Sequence, residues 1–96
     1  MDPAQQLREK RQEILDLATS YGAKNVRVFG SVARGDFTES SDIDFLVDME
    51  RGRSLVDRAA LMLDLEQLLQ RRVDVATERG LKERIRERIL REAVPL

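Results

Sequence analysis

Residues 30–47, GSVARGDFTESSDIDFLV, place two aspartates one residue apart at the opening of an apolar run. The run Ile43 to Val47 does not alternate cleanly between apolar and polar, so it predicts a strand covered on both faces. Successive side chains on a strand point to opposite faces, which puts Asp42 and Asp44 on one face, roughly 6.5 to 7 Å apart along the chain, and Ile43 and Phe45 on the other. Two carboxylates this close on an apolar strand repel each other and resist desolvation. They need a countercharge, or one of them must take up a proton. A divalent cation meets both needs. Hard oxygen donors suit Mg²⁺ or Mn²⁺, and Mg²⁺ usually works through a few carboxylates together with substrate phosphates. The plainer alternative is a solvated strand end whose acids meet only water.

The residues before the pair address the phosphate question. Val26 to Phe29 is short, β-branched and aromatic, and it stops at Gly30-Ser31, as a strand ending in a turn would. A glycine lets backbone amides approach a ligand, the Ser31 hydroxyl adds a donor, and Val32-Ala33-Arg34 begins a helical turn before Gly35. Arg34 has two readings: a guanidinium that forks onto triphosphate oxygens, or an ion pair with Asp36 or Glu39. Asp74, flanked by Val73 and Val75, is either a third acid converging on the first two or an edge-strand charge that deters sheet-to-sheet association. Ser41 reads as a turn cap. Asp48 shares a face with Asp42 and Asp44 but lies farther along, at an exposed strand end, and Phe37 reads as a loop anchor.

Composition narrows the chemistry. The 96 residues contain neither cysteine nor histidine, which excludes a disulfide framework, a thiol nucleophile, an imidazole base and the usual zinc ligands. Any reaction must use carboxylates, hydroxyls and cations. Seventeen basic against eighteen acidic residues give a formal charge of -1, so no global field favours a nucleic-acid partner. The length predicts one domain over residues 1–96, and the lack of a leader or a long apolar run predicts a soluble cytoplasmic protein.

The remaining pattern predicts an α+β fold: a small sheet of three to four strands covered by helices. Asp2-Pro3 opens one amphipathic helix whose apolar positions run from Leu7 to Tyr21 and which ends at Gly22. Ser54 with Asp57 resembles a capping box ahead of the core helix Leu55 to Leu69. Arg72 to Thr77 reads as a third strand. Leu81, Ile85 and Ile89 mark a last amphipathic helix, ended by Pro95, whose arginine and glutamate rows over residues 82–92 form either a solvated face or a partner surface.

The stretch Gly30-Ser31, ten residues, Asp42-Ile43-Asp44, with Ala33-Arg34-Gly35 and Ser41 inside it and Val73 to Thr77 later, resembles the minimal nucleotidyltransferases of the DNA polymerase β-like superfamily. The resemblance spans nearly the whole chain. It implies that Asp42, Asp44 and Asp74 hold two Mg²⁺ ions, or Mn²⁺, and that Asp74 helps remove the acceptor proton. It also implies that Gly30 and Ser31 bind the β- and γ-phosphates of ATP and leave the α-phosphorus open to in-line attack. Stand-alone members resemble the antitoxin half of a two-gene system whose other half is a HEPN-domain ribonuclease toxin, so the implied activity is transfer of AMP to a toxin tyrosine. Two further readings accompany it: a non-catalytic antitoxin that masks the toxin, and a small-molecule nucleotidyltransferase completed by another subunit.

Overall fold

The structure, a computed structural model, describes residues 1–96. Helices α1 (Pro3–Glu9) and α2 (Arg11–Ser20) lead into β1 (Ala23–Phe29) and the short α3 (Gly30–Arg34). A loop then reaches β2 (Ile43–Met49), followed by α4 (Leu55–Leu69), β3 (Val73–Ala76), a 3-10 turn over Glu78–Gly80, α5 (Glu83–Glu92) and β4 (Val94–Pro95). The mixed sheet has the order β3-β2-β1-β4, with β2 parallel to β3 and antiparallel to β1. The expected α+β architecture is therefore present, and none of the helices is long and apolar enough to cross a membrane.

The strand pattern splits the side chains between two unequal faces. Ile43, Phe45 and Val47 of β2, Val28 of β1, and Val73 and Val75 of β3 join Ile14, Ala18, Leu61, Leu65 and Leu69 in one large cluster under α2 and α4. Helix α4 begins where the sequence signals it. The Ser54 side chain accepts from the Val56 amide, and Asp57 accepts from the Ser54 amide at 2.9 Å, completing the capping box. The opposite face carries a cluster of only three buried residues, Phe29, Leu46 and Ile89, with α5 resting on it. Asp44 and Asp74 belong to this second face.

Two local expectations are corrected. The N-terminal segment is not one helix: the backbone turns at Lys10 (φ -102°, ψ 10°), although Lys10 N–H still donates to Gln6 O and Ile14 N–H to Lys10 O. With neither proline nor glycine at the bend, helical periodicity runs through it unchanged. Pro95 does not stop α5 either. The helix ends at Glu92, and Val94 and Pro95 pair with Val28 and Arg27 as a fourth strand at the sheet edge, where a proline lacking an N–H is tolerated.

Candidate active site

The ends of β1 and β2 meet in one row. Phe29 is paired with Asp44 across the antiparallel ladder, and Asp44 is in register with Asp74 on the parallel neighbour. In-register residues on adjacent strands lie about 4.8 Å apart and face the same way. Asp44 is thus flanked on one side by the turn that leaves β1 and on the other by Asp74. Asp42 sits just before the strand and is exposed.

The turn after β1 depends on glycine. Gly30 has φ +74°, and a Cβ there would collide with an Asp44 carboxylate oxygen. Only glycine combines that left-handed backbone with such close passage of the acid. Ser31 follows, and Gly30, Ser31, Arg34, Ser41, Asp42 and Asp44 line a single cavity of about 410 Å³. Five of the six residues expected at the site thus share one cavity. The sixth, Asp74, is exposed and reaches the group through its neighbour Asp44 rather than through the cavity wall.

Electrostatics mark Asp44 as the strained member. Burial is the main cause that pushes its carboxyl up to about 6, and the charges of Asp74 and Asp42 add to the shift, with Glu92 contributing in the same direction and Arg34 opposing it. No three carboxylates are gathered into a ready-made metal cage. The donor set nonetheless fits a hard divalent cation, because a half-buried carboxylate repelled by two further aspartates has excess negative charge and oxygen ligands to share. Asp42, Asp44 and Asp74 are the residues that would hold it.

Arg34 adopts the expected ion pair with Asp36 and adds a second one that was not expected. Its Nε lies 3.3 Å from Asp36, but its second acidic partner is Glu92, at 3.3 Å, and not Glu39. Both acids favour the charged guanidinium, Asp36 the more strongly. Ser41 behaves as expected of a turn cap, accepting the Thr38 amide at 2.8 Å. Asp48 is occupied away from the site by Arg27, 3.0 Å away. Phe37 packs against the main core as a loop anchor.

Three contributors lie outside the sequence motif. Arg71 donates from Nη1 to the carbonyls of Glu39 (2.8 Å) and Ser41 (2.7 Å) and from Nη2 to Met1 O, while its Nε donates to Gln6. It therefore pins the loop immediately before Asp42. Arg88 and Glu92 come from α5 and line the same cavity. Glu92 occupies the helical phase of Ile85 and Ile89, seven and three residues earlier, and an acid in an apolar phase is the signal that could have found it.

Comparison with known proteins agrees with this geometry. The nucleotidyltransferase domain family is matched over residues 6–96. The protein adenylyltransferase MntA of Thermococcus cleftensis is 42% identical over 79 residues, covering 82% of this chain and 80% of the relative. A solved structure described as a candidate minimal nucleotidyltransferase superposes with a TM-score of 0.87 at 55% identity, covering 100% of this chain and 97% of that one. A chain of a toxin–antitoxin crystal structure with AMP-PNP shares the fold at a TM-score of 0.75 and 21% identity, over 88% of this chain and 69% of its own. A glycine turn that admits an aspartate, set beside a second strand acid, is thus accompanied by sequence and fold similarity along the same residues, and the chain belongs to the nucleotidyltransferase domain family.

Proposed function

We propose that this chain is a Mg²⁺-dependent protein adenylyltransferase that transfers AMP from ATP to a tyrosine hydroxyl of a partner HEPN-domain toxin and so acts as its antitoxin. The observation that carries the reading is the single cavity shared by Gly30, Ser31, Asp42 and Asp44, with Asp74 in register beside Asp44. The name of the Thermococcus relative supports a protein acceptor, and the toxin–antitoxin neighbour with AMP-PNP supports both a toxin partner and an adenine nucleotide.

On this reading the Gly30 amide and the Ser31 hydroxyl seat the β- and γ-phosphates, and Arg34 adds positive charge beside them. The glycine turn and Asp44 fix the α-phosphorus relative to the acceptor. The tyrosine oxygen attacks that phosphorus, the new O–P bond forms as the bond to the bridging oxygen of the β-phosphate breaks, and pyrophosphate leaves with the electron pair. Asp74 accepts the hydroxyl proton. Asp42, Asp44 and Asp74 would hold Mg²⁺, which would neutralise the triphosphate charge and activate the acceptor oxygen. Carboxylates and a bound cation can perform this chemistry without histidine or cysteine.

The test uses the chain, its neighbouring-gene toxin, Mg²⁺ and ATP labelled at the α-phosphate. Label should move to the toxin. Asp44→Asn should lower the rate by about 10³-fold or more, the scale of removing several kcal/mol of charge stabilisation. A folded Asp44→Asn protein that transferred label at the wild-type rate would refute the assignment. A second reading, neutralisation by stoichiometric masking, draws on the engagement of both the Gly30 amide and Arg34 by an internal acid. Undiminished neutralisation by the Asp42→Asn, Asp44→Asn double variant would favour masking.

A further inference from the structure

Glu92 occupies the donors of the glycine turn. Its Oε1 accepts the Gly30 amide at 2.7 Å, and Arg34 Nη1 lies 3.3 Å from each of its oxygens. The Glu92 side chain is only 14% exposed, so this is an inward-turned acid and not one of the solvated glutamates along α5. Its position is electrostatically awkward, because it adds negative charge next to Asp44. What offsets that repulsion is one backbone amide and one guanidinium.

A carboxylate and a phosphate oxygen are both anionic acceptors that seek the same N–H donors. They cannot both take the single Gly30 N–H at hydrogen-bonding distance. We propose that Glu92 is an intramolecular occupant of the phosphate seat, which the triphosphate must displace and which returns as pyrophosphate departs, so that this residue sets nucleotide affinity and product release. The proposal rests on the reading that Gly30 and Ser31 seat the triphosphate. Helix movement is not required. The segment after α5 is pinned through pairing of Val94 with Val28 and through Arg11, which donates to Leu96 O at 2.7 Å, so rotation of the Glu92 side chain suffices. Arg88, four residues earlier on α5, lines the same cavity and has no ion-pair partner there, and it can receive the displaced carboxylate.

Binding of inorganic tripolyphosphate and of AMP-PNP, each with Mg²⁺, is measured by calorimetry on the wild-type chain, Glu92→Gln and Glu92→Asp, with thermal melting as the check on folding. Glu92→Gln removes the competing charge and should lower Kd about three- to tenfold, the scale expected for loss of one partly solvated charge-assisted contact. Glu92→Asp keeps the charge but is one methylene short of the Gly30 amide, and should tighten binding by a smaller factor. Should Glu92→Gln not fold, Glu92→Asp alone decides. A folded variant that binds as the wild type does, or more weakly, overturns the proposal while leaving the triphosphate site intact. If neither the wild type nor either variant binds tripolyphosphate or AMP-PNP, the triphosphate reading itself falls, and this inference with it.

Discussion

The two faces of the sheet are built from the same strands and to opposite specifications. On one, Ile43, Phe45, Val47, Val73 and Val75 meet α2 and α4 in a cluster of 14 buried residues. On the other, Phe29, Leu46 and Ile89 are the whole of the buried apolar set, with the partly buried Ala76, Leu81, Ile85 and Ala93 packed against them, and Asp44, Asp74, Arg34 and Glu92 lie on the same side. β2 alternates between the two: Ile43, Phe45 and Val47 join the large cluster, whereas Leu46 joins the small one and Asp44 lines the cavity. The small apolar cluster is just large enough to hold α5, and α5 in turn carries the acid that engages the glycine turn. Stability is concentrated on one face so that the other can tolerate three aspartates that repel.

The comparison predicts that truncations on the two faces fail differently. Phe45 is fully buried, and Phe45→Ala should cost about 3 to 5 kcal/mol, a large share of the stability of a chain this size. Loss of cooperative thermal unfolding, or a fall in melting temperature of at least about 12 °C, is the expected readout. A smaller shift would mean that the large face is not the main source of stability. Ile89→Ala, on the functional face, should cost about 2 to 3 kcal/mol, because Ile89 is 5% exposed in a cluster of only three. It should also act on nucleotide binding. Undocking α5 releases Glu92 from Gly30, so a folded Ile89→Ala protein should bind AMP-PNP at least as tightly as wild type. Weaker nucleotide binding with native melting would show that α5 supports the site rather than competes in it.

Arg71 acts on the functional face from the loop side. Its guanidinium ties the Glu39 and Ser41 carbonyls to the N-terminal segment, and so sets the approach to Asp42 without touching the cavity. Arg71→Ala should lower AMP transfer about tenfold and destabilise by about 1 kcal/mol, since it frees two loop carbonyls that can turn to water. Arg71→Lys should restore part of the stability but not the two-carbonyl clamp. A rate that falls only in proportion to lost folded protein would reduce Arg71 to a structural role.

The same division separates what the sequence carries locally from what only the fold brings together. The large face was readable because apolar periodicity reports burial: Leu55 to Leu69, with Ser54 ahead of it and Asp57 in its first turn, is a helix in the structure with those bounds. The spacing of Gly30, Ser31, Asp42 and Asp44 was readable because special backbone and clustered charge are local features. Arg71 was not, since it looks like a surface charge among others and acquires its role from carbonyls 30 residues away, and Glu92 left only the trace of an acid in the apolar phase of Ile85 and Ile89, its partner Gly30 lying 62 residues away. The fourth strand escaped for a similar reason. Val94 and Pro95 carry no strand signal of their own, and β1 supplies the ladder they join.

The smallest expected effect concerns the cost of the site in the metal-free protein. The Asp44 carboxyl is raised to about 6, chiefly by burial and then by Asp74 and Asp42, against an ordinary value of 3.8. A carboxyl whose pKa is higher folded than unfolded binds its proton more tightly in the folded state. It therefore contributes stability in full below about pH 3.8 and loses that contribution as pH rises through about 6. Because Asp44 is only half-buried, solvent screening reduces the effect to about 1 kcal/mol. In EDTA the wild-type chain should lose this amount between about pH 4 and pH 7, against a background set by the other carboxylates. Asp44→Asn removes the titrating group and should flatten that segment, so that at pH 7 it melts about 4 to 8 °C higher than the metal-free wild type. Mg²⁺ should close the gap by stabilising the wild type alone, because the variant has lost the central ligand. Parallel pH profiles for the two proteins in EDTA would show that the functional face carries no electrostatic strain, and the contrast between the faces would then reduce to apolar area.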